Sequence, residues 1–226
     1  MAAASSAAPT GRGAPLGARP TSVVFDVGNV LVDWNPRAFF AQHIADPARL
    51  DRFLNEVATL DWHLQHDAGR PFAETSAELI ALYPHEADNI RLWGARFGEQ
   101  IGAVLPGMAA IVADLGAQGV PLYALTNFSH EFWPPFRARE AALFADFRDI
   151  LVSGEVKLIK PDPAIYAMAL ERFGLAPGEA LFVDDRGDNV EAAERSGFVA
   201  HRFEDAATLR VVLEGYGLLE PPSLQA

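Results

Sequence analysis

At 226 residues, half of them hydrophobic and none of them cysteine, the chain can hold one substantial domain plus a smaller insertion, and it cannot use disulfides, thiolate zinc sites or a cysteine nucleophile. A net charge of -12 without clustered Lys and Arg excludes a nucleic-acid partner, because phosphate backbones are bound by basic patches. No apolar stretch approaches the roughly 20 residues that cross a bilayer, so a cytoplasmic enzyme with no membrane partner is expected.

Residues 1–20 are rich in Ala, Gly and Pro, carry Arg12 and Arg19, and contain no acid. Mitochondrial targeting peptides are also acid-poor, but this segment has no amphipathic period, and a disordered extension is the expectation. Ser22-Val23-Val24-Phe25 then forms a first apolar run that ends at Asp26. Continuous runs of this length suit strands buried on both faces of a parallel sheet. From about Trp34 to Val104 the pattern turns helical, with Phe39, Phe53, Trp62, Leu79 and Trp93 supplying apolar faces and no convincing strand between them. Asn35-Pro36 and Asp46-Pro47 each place a capping side chain before a proline suited to the first helical turn. A small helical insertion over residues 34–104 is the economical reading, between a first core segment over 21–33 and the rest of the core over 105–226, with Leu105-Pro106-Gly107 marking the return.

Three further apolar runs follow: Pro121-Leu122-Tyr123-Ala124-Leu125 before Thr126, Ile150-Leu151-Val152 before Ser153, and Ala180-Leu181-Phe182-Val183 before Asp184. Residues 199–203 offer another strand; Asp162-Pro163 opens a helix, and Gly174 and Gly197 sit where helices stop. Strands alternating with helices predict a doubly wound, Rossmann-like α/β sheet, which binds ligands at the carboxyl ends of its strands. That edge collects Asp26, Thr126, Asn127, Asp184 and Asp185.

Adjacent acids at Asp184 and Asp185, brought near Asp26, repel one another unless cations compensate them. Oxygen ligands from such a cluster suit a hard divalent ion, which for a phosphate substrate means Mg²⁺. Lys160, ahead of Pro161-Asp162-Pro163, can balance both a carboxylate nucleophile and a phosphate. Thr126 and Asn127 offer a hydroxyl and an amide where backbone N–H groups open a new segment, a good setting for phosphate oxygens.

Phe25-Asp26-Val27-Gly28-Asn29-Val30-Leu31-Val32-Asp33 resembles the first motif of the haloacid dehalogenase-like hydrolases. Leu125-Thr126-Asn127 resembles their second motif, Lys160-Pro161-Asp162-Pro163 the third, and Val183-Asp184-Asp185 with Asn189 the fourth. The four stand in the family's order over residues 21–212. The resemblance implies a Rossmann-like core with a small helical cap and covalent catalysis by Asp26 on a small phosphorylated substrate. It also implies Mg²⁺ held by Asp26, the Gly28 carbonyl and Asp185, with Asp184 acting through water or orienting Lys160. Thr126, Asn127 and Lys160 are implied to hold the transferring phosphoryl group.

One departure stands out. The family's phosphatases usually carry a second aspartate, a general acid and base, where this chain has Gly28. General acid–base help is typically worth about 10²–10⁴-fold. Asp33, His63, His66 and Arg70 are the candidate substitutes, and Trp34 and Trp62 are candidates to line the substrate cavity. The run from Asp26 to Val30 also resembles bacterial sugar phosphatases of the glucose-1-phosphate type, which share the glycine, so a sugar phosphate is the preferred substrate class. Two alternatives remain: metal-free dehalogenation of a 2-haloacid by Asp26, which the paired acids oppose, and a non-catalytic binding relative. Nothing in the sequence sets an oligomeric state.

Overall fold

A computed structural model describes Gly17 and residues 19–220. The disordered extension expected over residues 1–20 falls, Gly17, Arg19 and Pro20 apart, outside the described residues. The expected runs form a parallel sheet of five strands: β1 (Ser22–Phe25), β4 (Leu122–Thr126), β5 (Phe147–Val152), β6 (Ala180–Asp184) and β7 (Val199–Arg202). Their order is β5-β4-β1-β6-β7. The chain therefore leaves β1 to build one half of the sheet, β4 and β5, and returns to build the other, β6 and β7, on the opposite side of β1. Order reverses at β1, and in open α/β sheets ligands bind at that switch point.

Every residue of β1, β4 and β6 is buried, as expected for strands covered on both sides. Alternate side chains divide between two apolar layers. Val23, Phe25, Leu122 and Ala124 pack with Met108, Ile111 and Leu115 of α6 (Met108–Ala117) and with Leu209 and Leu213 of α11 (Ala206–Tyr216). Val24, Leu125 and Phe182 face the other way, onto Ile165, Tyr166 and Phe173 of α9 (Pro163–Phe173) and Ala192 and Ala193 of α10 (Gly187–Arg195).

Between β1 and α6 the chain makes β2 (Val32–Trp34), then α1 (Pro36–Phe40), α2 (Pro47–Arg52) continued by a π turn over Phe53–Val57, α3 (Leu60–Asp67), α4 (Phe72–Leu82) and α5 (Ala87–Ala95), and then β3 (Ile101–Val104). The expected caps form: Asn35 accepts from the Ala38 N–H at 2.9 Å, and Asp46 from Arg49 N–H at 3.1 Å. One expectation needs correction. The interval from 34 to 104 contains a strand, because Ile101–Val104 pairs antiparallel with β2. A strand of 4 residues holding Gly102 gives no period to read, and its partner lies at the far end of the helices. Two short helices, α7 (Trp133–Arg139) and α8 (Ser153–Val156), follow β4 and β5.

The link from β4 to α7 is clamped to α8. Phe128 N–H donates to Ser153 Oγ at 2.9 Å, and Ser153 Oγ donates to the Asp67 carbonyl at 2.6 Å, which ties the end of α3 to the sheet's edge. A Cβ on Gly154 would lie 2.5 Å from His130 N and 2.8 Å from the Phe128 carbonyl, both rigid backbone. Gly154→Ala is therefore expected to destabilise the protein by about 1–3 kcal/mol, as overpacking does, read as a lower midpoint in chemical denaturation.

Candidate active site

Asp26 follows the last residue of β1 and is 8% exposed. Its Oδ1 accepts from Val27 N–H at 2.7 Å and lies 2.8 Å from Lys160 Nζ. Both bonds fall on Oδ1, so Oδ2 takes neither and is the oxygen free to act. Lys160 is 2% exposed, and its Nζ also donates to Asp184 Oδ2 at 2.7 Å. Burial disfavours the ammonium, but Asp184 and Asp26 outweigh burial and hold it above the ordinary lysine value.

Asp184 ends β6 and is fully buried. Asn189 donates to both its oxygens at 3.0 and 3.1 Å, and Arg186 N–H donates to Oδ1 at 2.9 Å. Tyr166 in turn donates to the Asn189 carbonyl at 3.0 Å, fixing the first turn of α10. With its oxygens so engaged, Asp184 orients Lys160. Asn127 fixes the same lysine from the main chain: its amide donates to the Lys160 carbonyl at 3.0 Å and accepts the Lys160 N–H at 2.8 Å.

Oxygens of Asp26, Asp184 and Asp185 lie within 4.8 Å of one another. Burial pushes Asp26 up to about 7, against the pull of Lys160, and raises Asp185 as well. An all-oxygen set of crowded, desolvated acids fits a hard divalent cation, whose charge would favour their ionised forms.

A cavity of about 200 Å³ opens over this cluster. Asp26, Gly28, Asn127, Lys160, Asp185 and Asn189 line its floor. Trp34, Leu60, His63, Leu64, Asp67 and Phe97, with Ile101 and Phe128, line much of the remainder, and Asn29, Val32 and Arg186 complete it. Of the residues singled out in the sequence, the fold thus brings together Asp26, Gly28, Asn127, Lys160 and Asp185 at the cavity, with Asp184 directly behind Lys160. Thr126 is buried at the end of β4, paired with Val152, and does not line the cavity. Trp34 lines it, whereas Trp62 is packed edge-on against Trp93 at 5.4 Å and belongs to the core.

The candidate proton donors fare differently. Asp33 is not in the lining and sits against Gly102 of β3, where an added Cβ would lie 3.2 Å from Oδ2. His66 is held 2.6 Å from Thr75 Oγ1, and Arg70 pairs with Glu78 at the exposed surface, 2.7 Å away. His63 does line the cavity, stacked on Trp34 at 4.9 Å, but burial pushes its pKa down to about 4, so it is neutral and holds no extra proton at pH 7. Position 28 itself has room: a Cβ on Gly28 would meet only Trp34 Cβ, at 3.8 Å.

Asp67, the residue that sequence reasoning passed over, is 3% exposed at the cavity wall. It ends α3, where the helix dipole disfavours a carboxylate. An acid at a helix C-terminus, two residues before Gly69, was the available signal.

The family model of haloacid dehalogenase-like hydrolases matches residues 21–197, and the chain belongs to that family. A phosphoglycolate phosphatase of Yersinia pseudotuberculosis is 30% identical over 186 residues, covering 77% of each chain. A sesquiterpene phosphatase of Aspergillus oryzae is 28% identical over 193 residues, 82% of this chain and 90% of that one. Among solved structures, an enzyme of the same superfamily from Bacteroides thetaiotaomicron, in complex with magnesium and inorganic phosphate, superposes with a TM-score of 0.62 at 18% identity, over 84% of this chain and 98% of its own.

Replacing Lys160 with Met strands two buried carboxylates, and the expected loss of stability in EDTA is about 3–5 kcal/mol. Arg172→Met removes a half-exposed pair with Asp149, 2.7 Å apart, and is expected to cost under about 1 kcal/mol in the same denaturation experiment.

Proposed function

We propose that the protein is a Mg²⁺-dependent phosphatase that hydrolyses a small phosphate monoester through an aspartyl-phosphate on Asp26. The observation that carries this reading is a buried carboxylate with one oxygen left free, paired with a buried lysine at 2.8 Å, beside Asp184 and Asp185. The phosphatases among the similar proteins support it.

In the first step Asp26 Oδ2 attacks phosphorus and the bond to the leaving-group oxygen breaks. In the second, water attacks the same phosphorus and the bond to Asp26 breaks, releasing phosphate and restoring the carboxylate. This splits one difficult displacement into two easier ones. Lys160 carries fixed positive charge, already oriented by Asp184, to the side of Asp26 where negative charge gathers in the transition state. Asn127 keeps that lysine in register through its two main-chain bonds. Thr126, which the second motif assigns to the phosphoryl group, stands buried at the end of β4 outside the cavity lining, next to Asn127 at the cavity. Asp26, the Gly28 carbonyl and Asp185 would hold Mg²⁺, which when bound supplies a Lewis acid for the phosphoryl oxygens.

The helical segment over 34–104 acts as a cap on a core formed by 21–33 and 105–226, since Trp34, Leu60, His63 and Phe97 reach the cavity from it. A cytoplasmic setting is proposed with it, consistent with no described helix being long and apolar enough to cross a membrane. A sugar phosphate is the substrate class suggested by the sequence. The cavity lining supports a second choice: Trp34, Leu60, Leu64, Phe97, Ile101 and Phe128 form an apolar wall that suits an ester with a compact apolar group, whereas Asn29, His63, Asp67 and Arg186 are the lining side chains that could meet sugar hydroxyls.

Phosphate release should be lost in Asp26→Asn and in EDTA, and Mg²⁺ should restore it in the unmodified protein. No halide should be released from 2-chloropropionate. Turnover that survives EDTA and dialysis, or halide release without metal, would contradict the assignment.

A further inference from the structure

We propose that Asp67 is the proton donor for the leaving group, and the base for water in the second step, in place of the acid that Gly28 lacks. The inference rests on the phosphatase reading of the same cavity. Asp67 ends α3 and lines the same cavity as Asp26, so an ester seated on Asp26 shares that cavity with the Asp67 carboxyl. Its Oδ1 is buried with no hydrogen-bond partner among the described residues. A buried carboxyl oxygen without a partner is costly, and a ligand in the cavity can supply one.

The surroundings keep a substantial share of Asp67 protonated at neutral pH. Burial pushes its carboxyl up to about 7, only partly opposed by Lys160 across the cavity and the Ser129 N–H. On its own helix it faces His63, whose Nε2 lies 3.5 Å from Oδ2, but that ring is neutral and lends no charge to an ionised carboxyl. Glu155 and Lys157 at the α8 end, and Glu74 and Glu78 of α4, are exposed to solvent. The position is rigid. Ser153 Oγ donates to the Asp67 carbonyl at 2.6 Å, and Gly69, at φ 87°, lets the chain pass so close to α8 that a Cβ there would lie 2.8 Å from the Gly154 carbonyl.

The proton bookkeeping closes. As Asp26 Oδ2 bonds to phosphorus and the ester bond breaks, the Asp67 proton passes to the leaving oxygen, which departs as an alcohol. Asp67, now a carboxylate, takes a proton from the water that attacks phosphorus. The bond to Asp26 breaks, phosphate leaves, and both acids return to their starting states.

The test compares two esters of similar size with Mg²⁺ present: 2-phenylethyl phosphate, whose alkoxide needs a proton, and p-nitrophenyl phosphate, whose phenolate does not. In Asp67→Asn, kcat/KM for the alkyl ester is expected to fall about 10²–10⁴-fold, and for the aryl ester less than about 10-fold. With the alkyl ester the unmodified protein should lose activity as pH rises through about 7, and the variant should not. Equal losses on both esters, or no loss on either, overturn the proposal. Should Asp67→Asn not fold, the unmodified protein decides: a decline through that pH for the alkyl ester alone supports the proposal, and matching profiles for the two esters overturn it. Asp26→Asn separates the two readings. If it is inactive on both esters while Asp67→Asn shows no ester preference, only the role of Asp67 fails; if the unmodified protein hydrolyses neither ester, both readings fail.

Discussion

A buried ammonium shared by two buried carboxylates organises this protein. Lys160 lies 2.8 Å from Asp26 and 2.7 Å from Asp184, at the carboxyl end of a sheet whose central strands are wholly buried. Removing the ammonium leaves both carboxylates uncompensated away from water, which is far more costly than the pairs are stabilising. The neighbouring bonds follow from that constraint: Asn189 and the Arg186 N–H hold Asp184, Tyr166 holds Asn189, and Asn127 holds the main chain of Lys160. The result is positive charge aimed at Asp26 before any substrate arrives. Such preorganisation needs no rearrangement during the reaction.

The same burial divides the work of the acids. Asp26 and Asp67 both have their carboxyls pushed up to about 7 by desolvation, but their partners differ. Asp26 touches Lys160 directly and sits beside Asp185, where a divalent cation would favour its ionised form. Asp67 faces a neutral histidine and apolar walls, with the Lys160 charge and the Ser129 N–H only partly opposing its burial. One acid is thereby suited to be an anion and the other to keep a proton, within a single cavity of about 200 Å³.

Much of this was legible in the sequence, and the reason is geometric. Runs such as Val23-Val24-Phe25 and Leu181-Phe182-Val183 are apolar without alternation because both faces are covered, and a parallel sheet then carries the residue after each run to one edge. Asp26, Asn127, Asp184 and Asp185 were found in that way. Less legible were features that depend on contacts between distant segments. β3 was missed because Ile101–Val104 pairs with β2 across the whole helical segment. Asp67 was missed because nothing local marks it as buried, and the two histidines on its helix drew attention as the commoner proton donors. His66 is turned toward Thr75, and His63 lines the cavity but is held neutral, so the aspartate at the helix end is the acid left there with a proton to give. Thr126 shows the converse: strand-end logic placed it correctly at the edge, but its neighbour Asn127 is the one that reaches the cavity wall.

The central claim is that Asp26 forms a covalent bond to phosphorus. Rapid acid quenching of the protein with excess phosphate ester, followed by mass spectrometry of the peptide that contains Asp26, measures this directly. The account predicts a phosphoryl group on that peptide, mapped to Asp26, appearing before steady turnover and absent from Asp26→Asn. Steady release of phosphate with no phosphorylated peptide at any quench time, or with the phosphoryl group on another residue, would contradict it.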